Sequence, residues 1–335
     1  MKKNSNILTD SFGRKHTYLR ISLTELCNLR CTYCMPAEGI QLAPKSHIMT
    51  YDEVFTIAKT FVDHGITKIR LTGGEPLVRK DVHVILKQLS ELPIELSMTT
   101  NAVLVDRYID VLKACGIKNI NVSLDSLQPE KFKTITRRDQ FQKVYDNLML
   151  LISEGFNVKV NAVLIKGFND NEIVDFVELT KDLDISVRFI EFMPFSGNNW
   201  DKSRLVSLQN ILDLLEDFYN EERIKRIIDA PNDTSKNYQI DGYRGSFAVI
   251  SSVTNPFCDT CNRIRLTANG QIKNCLFSNT ESDLLTPLRE GKPIEPIIAK
   301  ALQSKFKMRG GMDTDEKLQS PDIHGQNRSM ITIGG

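Results

Sequence analysis

At 335 residues, 41% of them hydrophobic, the chain exceeds one typical domain and suits a single barrel of parallel strands with an appendage. Its 43 Lys and Arg nearly cancel 42 Asp and Glu, and a formal net charge of +1 excludes a broad nucleic-acid-binding surface. No run approaches a membrane span and the N-terminus has no apolar leader segment; seven cysteines, an odd number in short clusters, point to metal ligation in a reducing cytoplasm and not to disulfides.

In chain order, six β-rich runs alternate with helical patterns: Tyr18–Leu23, Lys68–Thr72, Glu95–Thr99, Asn119–Leu124, Asn157–Ile165 and Ser186–Phe192. The stretch Tyr51–His64 sets Val54, Ile57, Ala58, Phe61 and Val62 at helical spacing, with Thr50 and Glu53 forming a capping box at its start. Gly65, Gly116 and Gly155 each follow a helical run, where a left-handed residue ends a helix. Repeated βα units predict the α/β class and a parallel sheet curling into a partial (βα)6 TIM-type barrel. An open doubly wound sheet is the alternative; the lack of a fingerprint loop favours the barrel. Beyond Phe195 the pattern breaks. Asn198–Trp200 and Asp229–Asn237 read as loops, Phe247–Val253 and Arg263–Thr267 as strands, and Ser282–Arg289 and Pro293–Phe306 as helices. The expected division is a barrel over residues 1–195 and a C-terminal α+β extension over 196–335.

Six cysteines form two triplets, Cys27-x3-Cys31-x2-Cys34 and Cys258-x2-Cys261-x13-Cys275. The first follows the first strand, on the face where parallel barrels carry their active sites. Three close thiolates suit an iron–sulfur cluster and leave one iron open to another ligand. A zinc knuckle would need a fourth ligand nearby, and His16 and His47 are poorly placed; a redox CxxC leaves Cys27 unexplained. For the second triplet a small structural zinc site is the alternative. Arg263, Arg265 and Thr267 share one strand face beside it, and paired guanidiniums suit a phosphorylated ligand. Lys68, Arg70, Lys159 and Arg188 also sit in strand runs, where a buried cation is costly unless it meets an anion. Salt bridges to residues such as Glu95 or Glu191 would account for one or two of them.

The first triplet, with Tyr33 before its last cysteine, resembles that of the radical S-adenosylmethionine (SAM) enzymes. Gly73-Gly74-Glu75-Pro76 after the second strand and Ser123-Leu124-Asp125-Ser126 at the end of the fourth resemble that family's SAM-binding segments. The resemblance implies a [4Fe–4S] cluster on Cys27, Cys31 and Cys34 that cleaves SAM to a 5′-deoxyadenosyl radical, with SAM contacts from Tyr33, Gly74, Ser123 and Met193. With the second triplet included, nearly the whole chain is similar to the GTP 3′,8-cyclase family of molybdenum-cofactor biosynthesis. That similarity implies a lyase with a second [4Fe–4S] cluster, on Cys258, Cys261 and Cys275, whose open iron binds the guanine of GTP. Implied GTP contacts are Arg20, Lys68, Arg70, Thr99, Lys159, Arg188, Arg263, Ile264 and Arg265. The implied products are (8S)-3′,8-cyclo-7,8-dihydroguanosine 5′-triphosphate, 5′-deoxyadenosine and methionine. The terminal Gly334-Gly335 would thread into the active site and support radical initiation. A cyclic pyranopterin monophosphate synthase would take the product, and a homodimer is left open. Two other functions compete: a radical SAM enzyme acting on a peptide or another small molecule, and a zinc-stapled binding protein without catalysis. The chain departs from the family at Ala102, where glycine is usual. Arg309-Gly310-Gly311 reads as a flexible turn, and Cys115 as a small buried hydrophobe.

Overall fold

Apolar and polar residues alternate along the strands, and this gives the sheet one face for a helical layer and another for a wet interior. The computed structural model describes residues 7–36 and 38–334. All six expected strands form, each within one residue of its expected ends. The order is β1 (Tyr18–Ser22), α1 (Tyr51–Asp63), β2 (Lys68–Thr72), α2 (Val82–Ser90), β3 (Glu95–Thr100), α3 (Ile109–Ala114) and β4 (Asn119–Ser123). Then come α4 (Pro129–Thr136), α5 (Phe141–Ser153), β5 (Asn157–Leu164), α6 (Ile173–Asp182) and β6 (Ser186–Glu191). The capping box at Thr50 and Glu53 is present, which is worth about 1 kcal/mol to α1. Gly65, Gly116 and Gly155 take φ of +116°, +67° and +78° at the helix ends.

The C-terminal part extends the same sheet from both edges. It comprises α7 (Leu208–Tyr219), β7 (Ile224–Ile227), β8 (Lys236–Ile240), β9 (Ser246–Ile250), β10 (Arg263–Leu266), β11 (Gln271–Lys273) and β12 (Ser282–Asp283). The helices α8 (Leu285–Arg289), α9 (Glu295–Gln303), α10 (Asp315–Gln319), α11 (Pro321–His324) and α12 (Met330–Ile333) follow. Strand β9 pairs in parallel with β6 and β10 with β1, so the six expected parallel strands become eight in a row. The strand order β12-β11-β10-β1-β2-β3-β4-β5-β6-β9-β8-β7 does not close on itself among the described residues. A partial barrel results.

Three expectations need correction. Ser282–Asp283 joins the sheet as β12, because the Asp283 carboxylate accepts from the Leu285 and Thr286 amides and starts the helix only there. The segment expected as a loop over Asp229–Asn237 ends inside β8. Helix α7 lies where no element was expected, although Ile211, Leu215 and Tyr219 line one face and Ser207 caps it.

Leu19, Ile21, Ile69, Leu71, Met98, Ile120, Val122, Val160, Val187 and Phe189 are wholly buried on the helical side. Each contributes about 1.5–3 kcal/mol by leaving water. Cys115 lies in this core, as expected. A smaller cluster of Ile135, Ile165, Phe192, Trp200, Phe277 and Met312 joins the barrel rim to the C-terminal part. It is pinned by Trp200 Nε1 donating to the Phe192 carbonyl at 2.8 Å.

Candidate active site

The first cysteine loop is held from below by the Gly73-Gly74 segment. Gly74 N donates to Thr24 O at 2.7 Å and Glu75 N to Leu26 O at 2.8 Å. A Cβ on Gly73 would stand 2.8 Å from the Thr24 carbonyl oxygen, and one on Gly74 would clash with that of Leu26. Neither glycine has positive φ. Close approach of two backbones, not an unusual φ, is what requires glycine here. The buried Glu75 carboxylate then accepts from Leu77 N (3.1 Å), Thr100 Oγ1 (2.8 Å) and Asn101 N (2.7 Å), and burial pushes its pKa up to about 7. Asn101 reaches onward, its Nδ2 donating to Asn28 Oδ1 at 2.7 Å and to Cys27 Sγ at 3.7 Å.

Cys27, Cys31 and Cys34 are half-buried free thiols lining one cavity with Tyr33, Gly74, Thr99, Ser123 and Asp125. Burial first, then Cys31, pushes Cys27 up to about 12; its hydrogen bond with Cys34, then burial, pushes Cys31 up. Cys27 and Cys31 resist ionising in the free protein and would be stable as thiolates once iron supplies positive charge. Among the described residues no three His, Cys, Asp or Glu side chains gather closely enough for a single ion. Three cysteines in each triplet would hold an iron–sulfur cluster with one iron left open.

Tyr33 Oη donates to Asp125 Oδ2 at 2.8 Å and Val163 N to Asp125 Oδ1 at 2.9 Å, while burial raises Asp125 to about 6. Ser123 faces the cavity, whereas the Ser126 hydroxyl turns away to Glu172 at 2.9 Å. Met193 lies outside the cavity lining, against the smaller apolar cluster, its carbonyl accepting from Asn198 Nδ2 at 2.8 Å.

The second triplet is assembled by a hairpin. Cys258 and Cys261 precede β10, and antiparallel pairing of Arg265 with Lys273 returns the chain so that Cys275 comes beside them. Burial, then Cys275 and Cys261, raises Cys258. Burial would raise Cys261 too, but Lys305 and Arg263 outweigh it and bring its pKa to about 6.

Between the triplets the polar sheet face forms register rows. Arg265, Arg20, Arg70 and Ser97 lie side by side, as do Thr99, Asn121 and Lys159, and then Ser123, Asn161 and Arg188. Arg70 is fixed by Tyr18 Oη at 2.6 Å and the Met98 carbonyl at 3.0 Å. Burial lowers Arg20 to about 10 and Arg265 further; burial, then Arg188 and Arg70, brings Lys159 to about 8. Burial alone would raise Tyr18, but Arg70, Arg20 and Lys68 bring it to about 8. Thr99 Oγ1, Asn121 Oδ1, Asn161 Oδ1, Arg188 Nε and Arg263 Nη2 are buried without a hydrogen-bond partner. Each such atom costs about 1–3 kcal/mol, so their convergence on one lumen marks the place of a polar, anionic ligand.

Two of the strand candidates lie apart from this group. Lys68 stands at the rim, paired with Glu95 at 2.7 Å, one of the salt bridges anticipated above. Ile264 points to the opposite face, wholly buried in the core, which leaves only its backbone to meet a ligand. Glu191 binds no strand cation; it accepts from Val253 N at 2.7 Å and Thr254 N at 3.0 Å.

The segment from Met330 to Gly334 enters the lumen. Met330 and Ile331 of α12 line the first cavity, and Arg265 Nη1 donates to the Gly334 carbonyl. Gly334 has φ of +83°, and a Cβ there would meet Thr72 Oγ1 and stand 3.0 Å from Ser22 Cβ, so another residue would be strained in the backbone and crowded against β1 and β2. Gly335 lies outside the described residues. Arg328, which precedes the final turn, pairs with Glu281 at 2.7 Å. Arg309–Gly311 is a turn, but a packed one: Arg309 is buried and binds the Val253 carbonyl at 2.9 Å, and Gly310 abuts the Phe277–Ser278 backbone. The lumen residues Tyr18, Asn121 and Asn161 were not expected. Their signal was present in Asn119-Ile-Asn121-Val-Ser123 and Asn157-Val-Lys159-Val-Asn161, since interior parallel strands are ordinarily apolar on both faces.

A half-barrel with a cysteine loop at the strand ends and a polar lumen defines a radical SAM protein, and residues 21–180 match the family profile described as Radical SAM superfamily. Residues 185–310 match the one described as Molybdenum Cofactor Synthesis C. Among solved structures, Streptococcus suis SuiB shares the fold with a TM-score of 0.63 at 17% identity, over 87% of this chain and 68% of that one. "GTP 3′,8-cyclase, mitochondrial" of Arabidopsis thaliana is 47% identical over 99% of this chain and 84% of its own. "GTP 3′,8-cyclase" of Peptoclostridium acidaminophilum is 43% identical over 99% of both. "Molybdenum cofactor biosynthesis protein 1" of Homo sapiens is 44% identical over 98% of this chain, which spans about half (51%) of that protein. The chain belongs to the GTP 3′,8-cyclase family.

Proposed function

We propose that this chain is a radical SAM lyase converting GTP and SAM to (8S)-3′,8-cyclo-7,8-dihydroguanosine 5′-triphosphate, 5′-deoxyadenosine and methionine, the first step of molybdenum-cofactor biosynthesis. The observation that carries the reading is the lumen of cations and unpartnered polar atoms lying between two cysteine triplets, with the segment from Met330 to Gly334 folded into it. When bound, the two [4Fe–4S] clusters and SAM supply one-electron chemistry and a carbon-centred radical able to take a ribose hydrogen. The protein's own work is positioning and exclusion of water. Cys27, Cys31 and Cys34 hold the cluster for SAM, with Tyr33, Gly74 and Ser123 around it and Met193 at the rim. Cys258, Cys261 and Cys275 hold the cluster for guanine. Arg70, Lys159 and Arg188 meet the triphosphate with Lys68 at its outer end, while Arg20, Thr99, Arg263 and Arg265, with the Ile264 backbone, hold the nucleoside. Gly334 and Gly335 support radical initiation, and the Gly334 carbonyl accepts from Arg265. In this reading residues 1–195 form the radical SAM barrel and supply most of the contacts to both substrates, and 196–335 carry the second cluster and the terminal Gly-Gly.

No helix among the described residues is long and apolar enough to cross a membrane, and the reading places the reaction in the cytoplasm. Assembly as a homodimer and transfer of the product to a cyclic pyranopterin monophosphate synthase belong to the same reading. The test is anaerobic incubation of reconstituted protein with SAM, a strong reductant and GTP. Equal yields of 5′-deoxyadenosine and a GTP-derived cyclised product are expected. Release of 5′-deoxyadenosine with GTP untouched would favour a different substrate.

A further inference from the structure

Residues ahead of β1 and the turn after α9 meet beside Cys261. Lys305 is only 4% exposed, and its ammonium has three acceptors within reach: His16 Nε2 at 2.8 Å, the Arg263 carbonyl at 3.2 Å and Cys261 Sγ at 3.7 Å. An ammonium only donates, so His16 Nε2 must accept; the ring proton then sits on Nδ1 and donates to the Leu8 carbonyl at 3.1 Å. Asp10 is the nearby carboxylate, yet it is spent on Arg14, whose Nε lies 2.6 Å away, and on the Phe12 and Arg14 amides at 3.0 Å. Arg14 in turn donates to the Cys258 carbonyl at 2.8 Å, so this N-terminal segment is built into the wall of the second triplet. Among the described residues Lys305 forms no ion pair with a carboxylate. A buried ammonium is costly without a negative partner, and the sulfur within its reach is Cys261 Sγ. Cys27 of the first triplet has neutral donors instead, accepting from the Leu29 amide at 3.4 Å and from Asn101 at 3.7 Å.

We propose that Lys305 is a positioning residue for the second iron–sulfur cluster: aimed by His16, its ammonium donates to the Cys261 ligand sulfur and stabilises the reduced cluster. The proposal rests on the second triplet being a cluster site. A cation donating to a ligand sulfur stabilises the added electron and so raises the cluster's reduction potential.

The test uses the full-length chain, reconstituted anaerobically, with Cys27, Cys31 and Cys34 changed to Ala so that the signal comes from the second cluster. Lys305→Met removes the charge and the donor; Lys305→Gln removes the charge and keeps a donor. Electron-paramagnetic-resonance redox titration should show the second cluster's midpoint potential moved downward in both variants, further in Lys305→Met. With the first triplet intact, the first cluster's potential should stay where it was. A folded Lys305→Met chain, judged by circular dichroism, that loses iron from the second triplet alone also supports the proposal. If that variant does not fold, Lys305→Gln decides by the same shift. An unchanged second-cluster potential in a folded variant that keeps its iron overturns the role of Lys305 alone. Wild-type protein that assembles one cluster instead of two overturns the reading of the triplet, and the proposal with it.

Discussion

Around Cys27, Cys31 and Cys34 the nearby charges are acidic, with Glu75 and Asp125 adding to the effects that keep Cys27 and Cys31 protonated. Around Cys258 and Cys261 they are basic, with Lys305, Arg263 and Arg14 pulling toward the thiolate. The same number of sulfurs is therefore set in opposite fields. A ligand bringing a sulfonium and an ammonium, as SAM does, belongs beside the acidic set. In the proposed reading GTP lies against the basic residues, its nucleoside by Arg20 and Arg265 and its triphosphate by Arg70, Lys159 and Arg188. The segment from Met330 to Gly334 runs from the first cavity to Arg265 on the strand that follows Cys261, as the proposed single reaction space requires.

Removing one triplet at a time puts the greatest strain on this comparison. Changing Cys258, Cys261 and Cys275 to Ala should abolish GTP conversion while 5′-deoxyadenosine release from SAM continues, detectable by chromatography of both products. Changing Cys27, Cys31 and Cys34 should abolish both. Equal loss of both activities from either substitution would mean that the triplets are not divided between two substrates.

A smaller effect tests the basic half directly. Lys159 titrates near 8 because burial, then Arg188 and Arg70, disfavour its charge, and Asp233 only partly compensates. A bound triphosphate favours the charged form, so binding takes up a proton when the free group is neutral. GTP affinity should weaken as pH rises above about 8, by up to about tenfold per pH unit. Lys159→Met should bind more weakly at pH 7 and lose that slope; calorimetry from pH 7 to 9 reads both. For the free protein the sign runs the other way. A lysine whose pKa is lower folded than unfolded binds fewer protons when folded between about 8 and 10.5, so its contribution to stability improves as pH rises through that window.

The cysteine spacings, the strand cations and the six parallel strands were legible because each is written locally, in a motif or in a period of two. The edge pairings of β10 with β1 and β9 with β6 were not, since they join residues far apart in the chain by register. The network of Asp10, Arg14, His16 and Lys305 was hidden for the same reason: its members look like an ordinary polar leader and a helix end until folding places them together. Glycine at positions 73 and 74 was readable as part of a SAM-binding segment by resemblance, but the clash with Thr24 and Leu26 that demands it belongs to two segments some fifty residues apart.

The smallest expected effect concerns Ala102, which lies in the loop linking Glu75 to the first triplet and holds φ of +61° while wholly buried. A left-handed alanine is strained by about 1–2 kcal/mol, which glycine would relieve. Against that, Ala102→Gly gives up a buried methyl worth about 0.8 kcal/mol and loosens the unfolded chain by about 0.4–1 kcal/mol. The terms nearly cancel. The loop is fixed independently by Thr100 Oγ1, which accepts from Ala102 N at 3.0 Å, and by Asn147 Nδ2, which donates to the Ala102 carbonyl at 2.6 Å. Ala102→Gly should therefore change unfolding free energy by less than about 1 kcal/mol in a urea titration, the residue of those opposing terms, and leave 5′-deoxyadenosine formation unaltered. A large gain in SAM cleavage would show that the alanine distorts the Glu75–Asn101–Cys27 chain of hydrogen bonds, and that the acidic setting of the first triplet depends on this loop.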